Sequence, residues 1–334
     1  MMGSALAMPE AGAMDRNPYG FREQPFRMTP DARMYFPSSV HSRAHAHLVY
    51  GLAQMEGFVV ITGEVGAGKT TLVEHLCAQL DPERYAVARI ATTQVSGEDL
   101  LRLFAEDLGA PPEGSKAALL RAVTAALRDD SRRHLLIVDE AQGLPRDALE
   151  ELRMLSNITA EGKALLQTVL LGQPQLRHTL ASPELDQLRQ RILASFHLGP
   201  LSFDEARAYV HHRMRAVGWG GDRPAWDEEA LASVHLHSGG IPRRINRLCA
   251  RVLLSGGLER AERFTAALVE ETARELDEDL GGASVLPRAA AISAQEDLLE
   301  LSRRIDALER VVADREHVFN RFRELFGGSR GMPR

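Results

Sequence analysis

The chain contains little that could staple or anchor it. Only two of its 334 residues are cysteine, and Cys77 and Cys249 stand far apart, outside any CxxC spacing. A disulfide framework and a cysteine metal site are both excluded, which suits a reducing compartment. Long hydrophobic runs are missing as well. The longest, Phe58 to Ile61, Leu135 to Val138 and Val169 to Leu171, fall far short of the roughly 20 apolar residues that cross a bilayer. The N-terminus has no basic stretch followed by an apolar one, so it reads as a loose tail and not as a signal peptide. Basic charge is not in surplus: 40 Lys and Arg against 46 Asp and Glu give a net charge of −6. The whole surface is therefore no electrostatic glove for nucleic acid, and only a local basic patch is left for that role. What remains is 44% hydrophobic and 26% charged, ordinary for a globular protein and enough chain for about two domains. The expectation is a cytoplasmic protein.

Periodicity then divides the chain. Residues 1–20 carry little pattern and read as a flexible tail. Five aromatics (Tyr19, Phe21, Phe26, Tyr35 and Phe36) interleave with prolines in an irregular arm. His41 to Met55 reads as a helix stopped by Gly57. Phe58 to Thr62 is a short continuous apolar run, the mark of a strand buried on both faces. A helix from Lys69, a strand over Tyr85 to Ala91 and helices near 98–108 and 116–128 follow. A buried strand over Leu135 to Val138, a helix over 147–156 and a strand over Leu166 to Leu171 complete the series. Such alternation predicts a parallel sheet covered on both sides. After Leu201 the pattern becomes helical only, at 203–217, 227–238, 241–255 and 264–276. Beyond a Gly, Ala and Ser linker with Pro287, apolar residues from Leu298 to Phe326 fall on three- and four-residue steps, with Arg315 interrupting. That spacing fits a coiled coil or a single amphipathic helix docked on its own protein. The expected divisions are a tail at 1–20, a core domain at 21–200, a helical lid at 201–278, a linker at 279–293, the amphipathic helix at 294–326 and a flexible end at 327–334.

The chemistry is concentrated in two places. Gly63-Glu64-Val65-Gly66-Ala67-Gly68-Lys69-Thr70 fits GxxxxGK[ST] directly after a buried strand and at the start of a helix. Glycines let backbone N–H groups wrap phosphates, and the helix N-terminus adds positive potential. Lys69 is expected to reach the β- and γ-phosphates, Thr70 to ligate Mg²⁺ and Thr71 to complete the nucleotide-binding set. Leu135 to Val138 ends in Asp139 and Glu140. A strand ending there puts Asp139 beside the Thr70 metal centre and Glu140 where it can orient or deprotonate an attacking water. No guanine-reading NKxD motif appears. His41, His45 and His47 approach ligand spacing on a helix, but no carboxylate or cysteine completes a zinc site.

These motifs, with the helical region behind them, resemble an AAA+ ATPase, whose fold is a doubly wound α/β parallel sheet of P-loop type. More specifically, several stretches are similar to the ExeA/GspA family of secretion ATPases: Pro25-Phe26, Gly57 to Val60, Asp139-Glu140-Ala141-Gln142, Leu152 to Asn157, Leu170 to Pro174, Leu188 to Ile192 and Gly240 to Asn246. The resemblance covers roughly residues 18–276. Within the family it looks nearest to ATPases associated with exosortase and exopolysaccharide loci. Membrane-anchored members continue into a transmembrane helix and a peptidoglycan-binding domain; no such pattern follows here, which points away from a type II secretion role.

The resemblance implies further roles. Gln173 looks like the first sensor of the γ-phosphate or the lytic water, although a turn residue before Pro174 reads the same way. Arg189 or Arg191, with Arg191 preferred, looks like the arginine finger given to a neighbouring subunit, and packing or a surface role stays open for both. Arg243 looks like the second sensor, and Pro25-Phe26 is implied to lie near the nucleotide. Arg244, Arg247 and Arg251 make a basic face that could meet nucleic acid or simply solvent. The candidate catalytic residues are thus Glu140, Lys69, Gln173, Arg191, Arg189 and Arg243. The expectation is an oligomeric ATPase using ATP and Mg²⁺, with an envelope or export-system protein as partner and recruitment to the inner membrane face through it. A DNA-binding ATPase of the transposition-targeting kind and a non-catalytic scaffold are the alternatives.

Overall fold

The computed structural model describes residues 18–29, 31–91 and 94–279. The expected linker and coiled-coil-like helix lie outside the described residues, as does most of the N-terminal tail. An arm from Pro18 leads through a short 3₁₀ turn (Ala32–Met34) to α1 (Ser39–Gln54). Ser38 caps α1 by accepting from the His41 amide at 3.2 Å, so the helix starts two residues before the apolar pattern does. Next come β1 (Phe58–Gly63), α2 (Lys69–Cys77), β2 (Tyr85–Ile90), α3 (Gly97–Asp107), α4 (Lys116–Asp129), β3 (Arg133–Val138) and α5 (Arg146–Leu155). A two-residue hairpin, β4 (Thr159–Ala160) with β5 (Lys163–Ala164), precedes β6 (Leu166–Gly172). Short helices α6 (Gln175–Leu180) and α7 (Asp186–Arg189) lead to β7 (Ile192–Leu198).

Five strands form one sheet in the order β2-β3-β6-β1-β7, every pair parallel. Alternation along each strand sends side chains to opposite faces. Phe58, Val60, Leu136, Val138 and Leu170 pack against α3 to α7, while Val59, Ile61, Leu135, Ile137, Val169 and Leu171 pack against α1 and α2. Both faces are covered, which is why β1 and β6 are buried throughout and β3 is buried from His134 onward. The fold is therefore the expected doubly wound α/β sheet of P-loop, AAA type. One strand escapes the apolar-run reading: β7 lies at the sheet edge, where Ser195 and His197 face outward and interrupt its hydrophobicity.

Beyond the sheet, α8 (Phe203–Ala216), α9 (Glu228–Ser238), α10 (Pro242–Leu258) and α11 (Ala266–Asp279) follow. A two-residue parallel bridge, β8 (Ala225–Trp226) with β9 (Arg263–Phe264), ties this helical region together. Ser202 and Glu205 close a capping box at the start of α8. Tyr35 of the arm packs against the sheet-face cluster under α1 and α2, and the arm's other four aromatics pack elsewhere. Phe26 is buried in the helical region's own core, and Tyr19, Phe21 and Phe36 pack against that same cluster. Arg213 of α8 fixes the arm, donating from Nε to Pro25 O at 2.7 Å and from a terminal nitrogen to Arg27 O at 3.0 Å. Sheet, arm and helices up to Leu276 make one compact unit.

Candidate nucleotide site

In a parallel sheet the chain leaves every strand at the same end, and ligands bind outside the carboxyl ends. Gly63, Asp139 and Gln173 stand at the ends of β1, β3 and β6, side by side. The loop after β1 makes two left-handed turns, at Gly66 (φ 85°) and Gly68 (φ 98°), conformations that side chains rarely adopt. A Cβ on Gly66 would also lie 2.3 Å from the Arg243 Cβ. Lys69 opens α2 and is 95% buried, its Nζ donating to Gly63 O at 2.8 Å and Glu64 O at 3.1 Å. Burial draws its pKa down, against the opposing charges of Glu140, Asp139 and Glu64. A desolvated cation resting on loop carbonyls is poised to turn to an anion. Thr70 Oγ1 donates to Asp139 Oδ2 at 2.8 Å, and Thr70 and Thr71 both line the cleft.

Glu140 leaves β3 in a left-handed conformation (φ 50°). Its Oε2 accepts from Gln142 Nε2 at 2.6 Å and from Gln173 Nε2 at 3.2 Å. Gln142 also reaches across, its Oε1 accepting the Gln173 amide at 2.9 Å. The Gln142 bond does most to hold the Glu140 carboxyl below the usual range; burial opposes it, and Gln173, Lys69 and Arg243 add to it. Glu140 is thus a carboxylate at neutral pH, facing the cleft that holds Lys69, Thr70 and Arg243. Gln142 carries no role in the sequence reading beyond its motif, because its function rests on a contact 31 residues away.

The helical region and the arm close the other side. The Arg243 amide donates to Gly66 O at 3.1 Å, seating the first turn of α10 on the phosphate loop. From the arm, Tyr35 and Phe36 line the cleft while Phe26 does not; Arg27 and Met28, the next residues, do. Tyr35 stacks on His75 with ring centres 3.9 Å apart. His41, read only as one of three spaced histidines, is a buried residue of the cleft wall, with Nε2 3.1 Å from Ala67 O.

Arg189 and Arg191 are not brought to this cleft. Arg191 precedes β7, whose far end, Leu198, pairs with Gly63; seven strand residues put it roughly 20 Å away. It rests against Ser156, 3.4 Å from Oγ. Arg189 is exposed on α7 and paired with Asp186 at 2.7 Å. Arg244 and Arg247 are exposed along α10.

The residues present fit a magnesium nucleotide. Left-handed glycine turns, a desolvated lysine and a hydroxyl–carboxylate pair of hard oxygen donors are the elements phosphate and Mg²⁺ require. Among the described residues no group of three or more His, Cys, Asp or Glu could hold a metal ion.

Residues 53–180 match the family described as AAA domain, a span holding the phosphate loop, Asp139, Glu140 and Gln173. The fold is one of P-loop, AAA type. The chain is similar to general secretion pathway protein A of Aeromonas hydrophila, with 40% identity over 244 residues. That match takes in 71% of this chain and 44% of the relative, so the chain spans less than half of its length. Among solved structures, the ADP form of the Aeropyrum pernix ORC2 protein superposes with a TM-score of 0.58 at 17% identity, over 76% of this chain and 73% of that one. The Thermotoga maritima RuvB Holliday junction branch migration motor gives 0.51 at 17% identity, over 83% and 81%. At such identities the likeness is one of fold. Among the described residues no helix is long and apolar enough to cross a membrane.

Proposed function

We propose that this chain is a Mg²⁺-dependent ATPase that hydrolyses ATP to ADP and phosphate and works as an oligomeric motor or switch. Its setting is a bacterial envelope system, associated with exopolysaccharide export or an exosortase, with recruitment to the inner membrane face through a protein partner. The observation that carries the hydrolytic reading is the Glu140 carboxylate, ionised and clamped by Gln142 and Gln173 beside the Thr70–Asp139 pair. A site that only held nucleotide would not need an aligned base. Thr70 and Asp139 are the residues that would hold Mg²⁺, which when bound neutralises phosphate oxygens. Lys69 and the loop amides bind the phosphates, Glu140 orients the water and takes its proton, and Gln173 places that water or the γ-phosphate. Arg243 carries the nucleotide state to the helical region, which acts as a lid, since contacts to a γ-phosphate are lost on hydrolysis. The secretion-family relative supports the envelope setting.

Arg191 is assigned to a neighbouring subunit's site, because it sits too far from its own phosphate loop to serve there. The test is steady-state ATP turnover against protein concentration. Glu140→Gln should lower turnover by about 10²–10⁴-fold while a fluorescent ATP analogue still binds; unchanged turnover would leave only a nucleotide-stabilised scaffold. Turnover per subunit should rise with concentration, and mixing Lys69→Ala with Arg191→Ala protein should recover part of it. Neither effect occurring would remove the shared site. The exposed Arg244 and Arg247 keep the transposition-type, DNA-binding reading in play; it predicts duplex binding that weakens steeply with salt.

A further inference from the structure

The first turn of α1 is held from two directions. Ser38 and His41 are both buried, and Ser38 Oγ lies 2.7 Å from His41 Nδ1. On the ring's other side, Nε2 lies 3.1 Å from the Ala67 carbonyl in the phosphate loop. A carbonyl only accepts, so Nε2 carries the proton, Nδ1 is the acceptor and the Ser38 hydroxyl donates to it. Both ring nitrogens are then satisfied in a single neutral tautomer. A Cβ on Gly68 would come within 2.7 Å of Nε2, so ring and loop backbone touch without slack.

The second hold comes from the helical region. The Ser39 amide donates to Glu205 Oε1 at 2.8 Å, while Glu205 Oε2 accepts the Ser202 amide at 3.0 Å. One carboxylate thus caps α1 and α8 together, satisfying an orphan amide of each helix end with a favourable charge. Two successive loop carbonyls are therefore fixed from outside: Gly66 by the Arg243 amide and Ala67 by His41. Both routes lead back to the helical region.

We infer that Glu205, Ser39, Ser38, His41 and Ala67 form a strut that sets the phosphate-loop backbone from the helical region, with His41 the positioning residue. The reason is peptide geometry. Carbonyl and amide of one planar trans peptide point in opposite directions, so holding Ala67 O toward His41 aims the Gly68 N–H away from α1. A loop whose amides are aimed in advance loses less on binding an anion. The strut rests on the reading that this loop binds a nucleotide.

The test titrates a fluorescent ATP analogue with Mg²⁺ against wild type, His41→Phe, His41→Gln, Glu205→Ala, the His41→Phe/Glu205→Ala double variant and Lys69→Ala, with melting curves lacking nucleotide as the folding control. His41→Phe removes both ring hydrogen bonds, the one to Ala67 O and the one from the Ser38 hydroxyl, and should raise Kd about tenfold. His41→Gln returns an N–H that can reach Ala67 O and should come back to within about threefold of wild type. Glu205→Ala should weaken binding by itself and add little on top of His41→Phe, as members of one path do. A folded His41→Phe or Glu205→Ala protein with wild-type affinity overturns the strut, as does full additivity of the two. If His41→Phe does not fold, Glu205→Ala and His41→Gln decide alone: weakened binding in the first with near wild-type binding in the second supports the strut, and any other pairing overturns it. A wild type that fails to bind the analogue, or Lys69→Ala binding it equally well, brings down the nucleotide reading and the strut with it, so the two failures are distinguishable.

Discussion

Thr70 and Asp139 are 69 positions apart in sequence yet joined by a hydrogen bond of 2.8 Å, Oγ1 to Oδ2. Thr70 is the second residue of α2 and Asp139 directly follows β3, and the parallel sheet brings those two points together because β1 and β3 leave it at the same end. A hydroxyl and a carboxylate at this distance are both hard oxygen donors.

Replacing Thr70 by Val keeps the shape of the side chain and removes its oxygen. ATP turnover should fall by about 10²-fold or more, and the remaining rate should no longer respond to Mg²⁺ concentration. Nucleotide should still bind through Lys69 and the loop amides. Isothermal titration with and without Mg²⁺ separates the two effects; a Thr70→Val protein whose binding keeps its full Mg²⁺ dependence would remove Thr70 from the metal site.

Gln142 touches both Glu140 and the Gln173 amide, so Gln142→Ala loosens Glu140 and Gln173 together. Turnover should drop about tenfold to a hundredfold. The sign of the accompanying pH effect is fixed: Glu140 loses the hydrogen bond that does most to hold its carboxyl down, so its pKa rises. The acid limb of the rate profile should therefore move to higher pH in Gln142→Ala, and an unmoved limb would assign the loss to Gln173 alone.

The difference between Thr70 and Gln142 shows what a sequence discloses. Leu135 to Val138 reads as a buried strand because it is apolar on both faces, and its end at Asp139 follows from that. The phosphate loop is legible because its backbone turns demand glycine at Gly66 and Gly68. Gln142 and His41 are polar residues in unremarkable local contexts. Their roles appear only once β6 and the loop after β1 are folded beside them, at separations of 31 and 26 residues. β7 is obscured for a related reason: an edge strand faces solvent with alternate residues, and Ser195 and His197 dilute the apolar signal. Arg191 could be placed near the end of the core domain, but the sheet register was needed to set it at the end opposite the phosphate loop.

Glu151 of α5 is buried at 4% exposure beneath α3, its Oε1 paired with Lys116 and its Oε2 without a partner. Lys116→Met leaves that carboxylate with no compensating charge. Because the lysine is half exposed and water can follow it in, the loss should be about 1–3 kcal/mol, read as a lower midpoint in urea. Adding Glu151→Leu should recover most of it, since a packed apolar pair replaces an ion pair at little cost. A double variant as unstable as the single one would mean that packing against Gly97, and not charge, dominates here.

Acid should unfold the protein in two stages. Burial pulls the imidazole pKa values of His41, His134, His211 and His212 below the usual 6.5. Below pH 6.5 the unfolded chain then binds protons that the folded one refuses, so stability is complete above that value and falls as pH drops beneath it. The paired carboxylates behave in the same sense at lower pH. Asp130, held at about 2 chiefly by hydrogen bonds from Arg132, contributes stability that is present above its unfolded value of 3.8 and is lost as pH falls toward 2. A melting temperature that declines between pH 6.5 and 5, ahead of the stage to which Asp130 contributes, is the histidine stage. His41→Gln cannot titrate, so its decline over that interval should be shallower than that of wild type. An identical slope would mean that the other buried histidines account for this stage and that protonation of His41 has no part in it.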